Sequence, residues 1–307
     1  MKISVGIGDI AGKPADVAEL ASQARAAEDD GFASVYLANI FGVDALTALT
    51  VCGLATSRIN LGTGVVPTYP RHPHALAQQA ATVNAAVGHR LTLGIGLSHQ
   101  VVIEQMFGMS YKKSYSHMRE YLGVLMPLVN DGAAKFSGET YQVNAPLDVP
   151  GAKPFPVLIA ALAPKMLGLA GSVAAGTVTW MTGPKTLASH TVPTIRRAAA
   201  EASRPDPQVV AGLPIAVCDD VDAARAAVAK QFAVYGGLPS YRAMLDREGA
   251  AGPADVAIVG TASEVNGQLD ALAEAGVTEF LGAAFSIERG DDTMARTREL
   301  LKARARA

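Results

Sequence analysis

Small and polar residues follow several short apolar segments of the sequence, and they are the candidates for chemistry. His99 is the titratable side chain at one such place, just after the apolar segment RLTLGIG. An imidazole with an ordinary pKa near 6.5 suits proton delivery at neutral pH, so His99 is the candidate catalytic residue. The alternative role for His99 is to begin a helix at the surface.

The other candidates offer main-chain amides and small polar groups, with few charges. They are Asn39, Gly64, Val65, Gly96, Ser98, Ala161, Leu162, Ala163, Thr179, Trp180, Met181 and Thr182. Such residues suit a flat, polar ring cofactor with a phosphate tail, held by amides and hydroxyls. They do not suit a metal ion or a pair of catalytic acids, so no metal site is expected.

Alternating strand and helix patterns must position these residues. Expected strands cover 3–7, 34–38, 60–66, 90–96, 156–161, 176–181, 208–218 and 277–285. About eight strands separated by helices predict a parallel sheet with helical crossovers. Over 307 residues this favours a closed (β/α)8 TIM barrel, with chemistry where the strands end, over an open doubly wound sheet.

We interpret 1–307 as one domain with insertion segments at the C-terminal face of the barrel. The main insertion, at about 130–155, is rich in Gly, Pro, Asn and Asp, and its KFSGETYQV segment predicts a small hairpin. A continuous helical region is expected from about 100 to 129.

Composition narrows the class of protein. Half of the residues are hydrophobic, 18% are charged and the net charge is −2, so a nucleic-acid partner or a charged membrane anchor is not expected. No apolar run approaches the roughly 20 residues that span a bilayer. Cys52 and Cys218 lie in apolar segments and are interpreted as reduced thiols. These features predict a cytoplasmic protein that acts on a small molecule.

Two motifs resemble known sites without meeting their rules. Gly6, Gly8 and Gly12 in GIGDIAGK are spaced G-x-G-x-x-x-G, which is neither a dinucleotide fingerprint nor a phosphate-binding loop. The HPH segment at 72–74 has no third metal ligand at useful spacing, so a helix start in a polar loop is favoured.

Four longer segments resemble the bacterial luciferase-like flavin and deazaflavin oxidoreductases. They are GFASVYLA, LGTGVVPTYPRHPHALAQQAATVNAAVGHRLTLGIG, REYLGVLMPLVNDGAAKFSGETYQV and IVGTASEVNGQLDALAEAGVTEFL. Their order and spacing carry the resemblance, which covers nearly the whole chain. Within the family, GTVTWMTGP is most similar to the branch that uses the deazaflavin coenzyme F420.

The resemblance implies an F420-dependent oxidoreductase that transfers a hydride between the deazaflavin and a small organic substrate. Reduction of an activated C=C or C=N bond is the preferred direction, because no strong catalytic base is visible. An FMN-dependent monooxygenase and a non-catalytic F420 carrier remain alternatives. A homodimer is expected, as in many relatives.

The resemblance also implies particular roles. Gly64-Val65 would form a non-proline cis peptide that backs the cofactor ring, and the amides of Leu162 and Ala163 would bind its phosphate. Ala38-Asn39 stands where well-studied relatives place an Asp-His pair, so Asn39 would bond the cofactor or cap the next loop without acting as an acid. Ser98 could likewise cap a helix, and Trp180 could serve only in packing.

Overall fold

The chain is represented by a computed structural model that describes residues 1–8 and 15–307. Most of the GIGDIAGK segment lies outside the described residues.

Twelve strands are formed in the described part of the chain. Their bounds are β1 (Lys2–Gly6), β2 (Ser34–Leu37), β3 (Asn60–Thr63), β4 (Val66–Pro67), β5 (Leu91–Gly96), β6 (Ala133–Ser137), β7 (Gln142–Pro146), β8 (Val157–Ile159), β9 (Gly176–Trp180), β10 (Gln208–Val217), β11 (Ile258–Gly260) and β12 (Glu279–Ala284). Strands β1, β2, β3, β5, β8, β9, β10 and β12 pair in that order, all parallel, and β12 pairs again with β1. The predicted (β/α)8 barrel is confirmed.

Helices cover the outside of the barrel and connect successive strands. Their bounds are α1 (Val17–Asp30), α2 (Ala45–Leu54), α3 (Pro73–Ala86), α4 (Ser114–Asp131), α5 (Pro164–Val173), α6 (Pro184–Thr186), α7 (Val192–Glu201), α8 (Val221–Gln231), α9 (Ala233–Gly237), α10 (Pro239–Glu248), α11 (Ala262–Glu274) and α12 (Thr293–Arg306). Shorter π-helical turns span Val102–Met106 and Leu187–Thr191, and a 3-10 turn spans Pro253–Val256.

The helical region expected from 100 to 129 is interrupted. The π-helical turn ends before Phe107, and α4 begins only at Ser114. Gly108 and Lys113 between them have φ values of 66° and 57°, which lie in the left-handed region and cannot continue a right-handed helix. The break brings the loop 107–113 to the C-terminal face.

Local capping fixes the helix starts. The Asp16 carboxylate accepts a hydrogen bond from Glu19 N at 2.8 Å, and Asp44 accepts one from Thr47 N at 2.9 Å. Thr261 and Glu264 form a reciprocal capping box at α11. These side chains supply acceptors for amides that have no partner within the helix.

The strands alternate between two apolar layers. Val35, Leu93 and Phe280 are fully buried and belong to the core between barrel and helices. The opposite faces of the strands place Tyr36 and other residues in the lumen, namely Leu158, Val178 and Val210. Successive residues of a strand face opposite sides of the sheet. The alternation therefore shows which side chains at the strand ends point into the lumen and which point towards the helices.

The predicted hairpin forms from β6 and β7, which pair antiparallel from Ala133↔Pro146 to Ser137↔Gln142. None of the described helices is long and apolar enough to cross a membrane.

Candidate active site

The third strand breaks where the sequence changes from apolar to Pro-rich. β3 pairs Gly62 with Thr92, whereas β4 pairs Val66 with Ile95, so the β3–β4 side holds one residue more than β5. This is a β-bulge, which re-aims the chain at a barrel rim. The Gly64-Val65 peptide within it is cis, as the resemblance implied.

Residues with small or absent side chains line the mouth of the lumen. A Cβ on Gly96 would lie 2.8 Å from Val65 Cγ2 and 3.2 Å from the Ala160 Cβ. A Cβ on Gly212 would lie 2.9 Å from Trp180 Cε3 and 3.0 Å from the Thr179 carbonyl. Larger side chains at these two positions would collide with the walls of the mouth, so glycine keeps the backbone of β5 and β10 close to them.

The mouth is accessible, whereas the lumen beneath it is filled. Val65, Ala160 and Trp180 are half-buried, while Leu158 and Val210 below them are fully buried. The barrel therefore presents a shallow concave surface floored by apolar side chains, the usual form of a small-molecule site.

An aromatic wall borders one side of this mouth. The Trp180 ring meets the Tyr235 ring edge-on at 5.9 Å, and Tyr235 meets Tyr241 edge-on at 5.1 Å. The His99 ring lies 5.7 Å from that of Tyr241. The wall thus runs from the end of β9, through α9 and α10, to the loop after β5. Edge-to-face contacts of this kind hold rings in defined orientations.

Trp180 has a buried polar atom at the mouth. Its indole Nε1 is buried and makes no hydrogen bond of good geometry within the described residues. Burial raises the pKa of the Tyr235 phenol and the Trp180 N–H opposes that rise, so the two groups lie close together. A role for Trp180 beyond packing stays a prediction.

His99 lies beside the mouth in a partly apolar environment. Burial lowers the pKa of its imidazole below the ordinary 6.5, so the ring is neutral at pH 7. Its carbonyl accepts hydrogen bonds from Val102 N and Ile103 N, both at 3.0 Å. The side chain faces Tyr241 while the main chain begins the next helical turn, which is the second role considered for His99. Its catalytic role stays a prediction.

Ser98 adopts a left-handed conformation with φ of 59°, and its carbonyl accepts a hydrogen bond from the Tyr111 hydroxyl at 3.2 Å. The described contacts of Ser98 do not include a helix cap.

The segment after β8 approaches the mouth through its main chain. Ala161 is fully buried, whereas Leu162 is half-buried and Ala163 is exposed as the residue before α5. The His190 imidazole Nε2 donates to the Leu162 carbonyl at 2.8 Å and holds the segment in place. The amides of Leu162 and Ala163 have no partner among the described residues, so they are available to an anion at the start of the helix.

Three expected residues after β9 turn their side chains away from the mouth. Thr179 is 2% exposed, and its hydroxyl donates to the Val210 carbonyl at 3.4 Å. Met181 is fully buried in the core outside the barrel, and Thr182 is 1% exposed with its hydroxyl directed at the Trp180 carbonyl at 3.4 Å. Contacts of Thr179, Met181 and Thr182 with a cofactor stay a prediction, and because their side chains are buried, such contacts would be made by their main chains.

Asn39 serves the local structure. Its side-chain oxygen accepts a hydrogen bond from Ala45 N at 3.0 Å and a long one from Arg71 at 3.4 Å. Of its two expected roles, the one observed is capping of the next helix. Arg71 also pairs with Asp44 at 2.5 Å, which fixes the Pro-rich loop onto α2.

The sequence predicts a substrate segment near 235–252, which contains Tyr235 and Tyr241, but it singles out neither ring and does not identify His190. Tyr235 and Tyr241 lie on either side of Gly236, Gly237 and Pro239 in YGGLPSY, and that interruption of a helical pattern was the available indication. His190 lies within a helical segment, and nothing local indicates its contact with a carbonyl 28 residues earlier.

Known proteins are similar to this chain over most of its length. A 5,10-methylenetetrahydromethanopterin reductase of Methanolobus tindarius is 31% identical over 294 residues, covering 94% of this chain and 88% of that protein.

Two solved structures share the fold at lower identity. The coenzyme F420-dependent tetrahydromethanopterin reductase of Methanopyrus kandleri has a TM-score of 0.79 at 21% identity, covering 98% of this chain and 97% of that one. An F420-dependent secondary alcohol dehydrogenase in complex with an F420-acetone adduct has a TM-score of 0.75 at 19% identity, with 98% of each chain covered. Residues 2–279 match the luciferase-like monooxygenases, and the chain belongs to that family.

Proposed function

We propose that the protein is an oxidoreductase that uses coenzyme F420 to transfer a hydride to or from a small organic substrate. The observation that carries the proposal is the mouth itself. Val65, Ala160 and Trp180 are half-buried there and accessible to a ligand, and they pack over the buried backbone of Gly96 and Gly212. A planar ring would lie on these three side chains. The names of the reductase and dehydrogenase to which the chain is similar support F420 as that ring.

The site fits such a cofactor through its donors. Gly64 and Val65 would border the ring, the Trp180 Nε1–H beside Tyr235 would offer one donor, and the amides of Leu162 and Ala163 suit a phosphate. His190 would fix the orientation of those amides. When bound, F420 supplies hydride transfer at C5 of its deazaflavin ring, while the protein positions the reactants and excludes water.

The preferred reaction is reduction of an activated C=C or C=N bond. Such a reduction needs a proton as well as a hydride, and His99 is the titratable group at the mouth placed to deliver it. The substrate would lie between the aromatic wall and the insertion at about 130–155, within a single domain of 1–307.

Binding of F420 and FMN under identical conditions tests the cofactor. We expect the fluorescence of F420 to be quenched when it binds, with a dissociation constant in the micromolar range or below. FMN should bind more weakly. Tight binding of FMN without F420 binding would contradict the proposal in favour of monooxygenation.

Turnover tests the reaction separately. Reduced F420 should be oxidised when the protein is offered a panel of activated alkenes and imines. Tight F420 binding without turnover of any acceptor would instead indicate a cofactor carrier. A homodimer and a cytoplasmic location remain predictions, and sedimentation velocity checks the first.

A further inference from the structure

We propose that a cavity beside the barrel mouth is a subsite for an anionic group, a carboxylate or phosphate, on a small molecule with a flat apolar body. The cavity holds about 300 Å³ and lies between Tyr69, the start of α4 and the tip of the β6–β7 hairpin. We call it the hairpin cavity. The inference rests on the proposed function and deepens it, because the cavity neighbours the same site.

One ring, that of Tyr111, lies between the cavity and the mouth. Tyr111 stacks on Tyr69 with ring centres 5.5 Å apart, and its hydroxyl donates to the Ser98 carbonyl at 3.2 Å. Ser98 is part of the loop after β5 that borders the mouth. A molecule bound at the mouth could therefore extend a substituent into the hairpin cavity.

One wall of the cavity is flat and uncharged. The rings of Tyr69 and His117 stack 4.0 Å apart at an angle of 3°, and the Tyr141 ring lies 5.9 Å from that of His117. Burial lowers the pKa of His117 to about 4, so the imidazole is neutral at pH 7. An apolar or aromatic body suits this wall.

The facing wall is fixed by a buried carboxylate behind it. Glu120 accepts hydrogen bonds from Glu139 N at 3.1 Å, Thr140 N at 2.7 Å and Tyr141 N at 3.3 Å. These bonds hold the hairpin tip in one conformation, so the cavity is formed before a ligand arrives.

The Tyr69 hydroxyl is the first of several donors. Tyr69 is only 9% exposed, and its hydroxyl makes no hydrogen bond within the described residues. Burial, together with the neighbouring Tyr111, Tyr141 and Glu104, raises the pKa of this phenol. It therefore stays protonated and remains a donor. A buried donor of this kind gains a partner when an acceptor enters the cavity.

The start of α4 supplies further donors and positive charge. This helix of 18 residues begins after Lys113 without a side-chain cap, so its first amides and its dipole favour an anion. Ser110, Lys112 and Ser116 line the same side. Glu139 is the acid of the lining and pairs with Lys113, whereas Lys112 has no ion-pair partner among the described residues.

Small probes test the subsite without the cofactor. We expect benzoate and phenyl phosphate to bind the wild-type protein, measured by ligand-detected NMR, and benzyl alcohol to bind more weakly. Lys112→Gln and Tyr69→Phe should each weaken binding of the anionic probes by about fivefold to tenfold, since each removes one donor. Lys135→Gln, on the exposed side of β6, is the matched control and should leave binding unchanged.

A second measurement identifies the molecule that carries the anion. F420 and a deazaflavin lacking the phosphate and acidic tail are titrated against the same variants. A loss confined to F420 assigns the anion to the cofactor tail, whereas a loss confined to the aromatic probes assigns it to the substrate. Equal binding of benzoate, phenyl phosphate and benzyl alcohol, with no effect of either variant on any titration, would overturn the inference even if F420 binds normally.

Discussion

The hydroxyl of Thr63 hydrogen-bonds to both main-chain groups of Gly94. It donates to the Gly94 carbonyl at 2.7 Å and accepts from the Gly94 amide at 2.8 Å. The bulge between β3 and β4 shifts the pairing register at this point, so Gly94 loses the strand partner that it would have in a regular ladder. The Thr63 hydroxyl can donate one hydrogen bond and accept another, so it replaces that partner.

We predict that Thr63→Val destabilises the protein by about 1–3 kcal/mol, because it removes the hydroxyl while keeping the shape. Thr63 is fully buried, so water cannot replace the lost bonds. Urea denaturation followed by circular dichroism measures the change. Thr63→Ser keeps the hydroxyl and should retain most of the stability, and equal losses in the two variants would show that the methyl group matters instead.

Gly96→Val should abolish cofactor binding with a smaller effect on folding. The added side chain would meet Val65 and Ala160 at the mouth, where the first atom alone comes within 2.8 Å of Val65 Cγ2. Val65 and Ala160, on which we propose that the ring lies, would then have to move. Fluorescence titration with F420 measures the loss.

A matched glycine substitution controls for general damage. Gly168 lies in α5, and a Cβ added there would have no neighbouring atom within 4 Å. Gly168→Ala should therefore stabilise the protein by about 0.5–1 kcal/mol and leave F420 affinity unchanged. Unimpaired F420 binding by Gly96→Val would exclude this mouth as the ring site.

The N-terminal face of the barrel carries a carboxylate whose protonation should weaken folding. Partial burial alone would raise the pKa of Glu28, but hydrogen bonds from the amides of Ile59, Arg58 and Ser57 outweigh it and hold the pKa at about 2. The folded state thus favours the charged form, and its stabilising effect is present in full above the ordinary carboxyl pKa near 4.5. Stability should fall as the pH decreases from about 4.5 towards 2.

Urea denaturation at a series of pH values tests this dependence. Glu28→Gln should be less stable than the wild type at pH 7, and the difference should shrink as the solution becomes acidic. Glu274→Gln, at an exposed position of α11, is the matched control. A difference for Glu28→Gln that stays constant from pH 7 to 3 would contradict the prediction.

His117 should titrate far below an ordinary histidine. Its pKa of about 4 follows from burial, with only a small opposing effect from Glu120. The unfolded chain binds a proton near pH 6.5 and the folded chain does not, so this residue should lower stability as the pH falls from about 6.5 to 4. NMR titration of the imidazole protons measures the pKa directly, and a midpoint above 6 would contradict the burial that the structure shows.

The barrel was predictable from sequence because its strands are short apolar runs between helical patterns, as in Leu91–Gly96 after α3. The strand ends were predictable for the same reason, so Gly96 at the end of β5 and His99 in the loop after it lie where the sequence predicts, while their roles stay predictions. The direction in which each side chain points was harder to predict from the sequence. Thr179 and Trp180 are adjacent, yet only Trp180 faces the lumen, because the pleat alternates and the exact register sets which residue faces inward.

Contacts made by distant segments could not be derived from local patterns. Tyr241 reaches His99 across the mouth, and His190 reaches the Leu162 carbonyl, although both belong to helices whose sequences predict only helices. Their positions depend on how the helices after β9 and β10 pack over the barrel, which is a property of the assembled fold.

His99 offers the most direct test of the proposed chemistry. Burial lowers its pKa from 6.5, so at pH 7 most of the population is neutral and the protonated donor is scarce. If His99 delivers the proton, the rate of C=C or C=N reduction should rise as the pH falls from 7 towards that lowered pKa. His99→Gln should lower kcat by about 10²-fold or more and remove this rise, with little change in F420 affinity. Tyr241→Phe, which keeps the ring against His99, is the matched control and should preserve the pH profile. An unchanged kcat and pH profile in His99→Gln would show that the ring serves packing alone and that the proton comes from water.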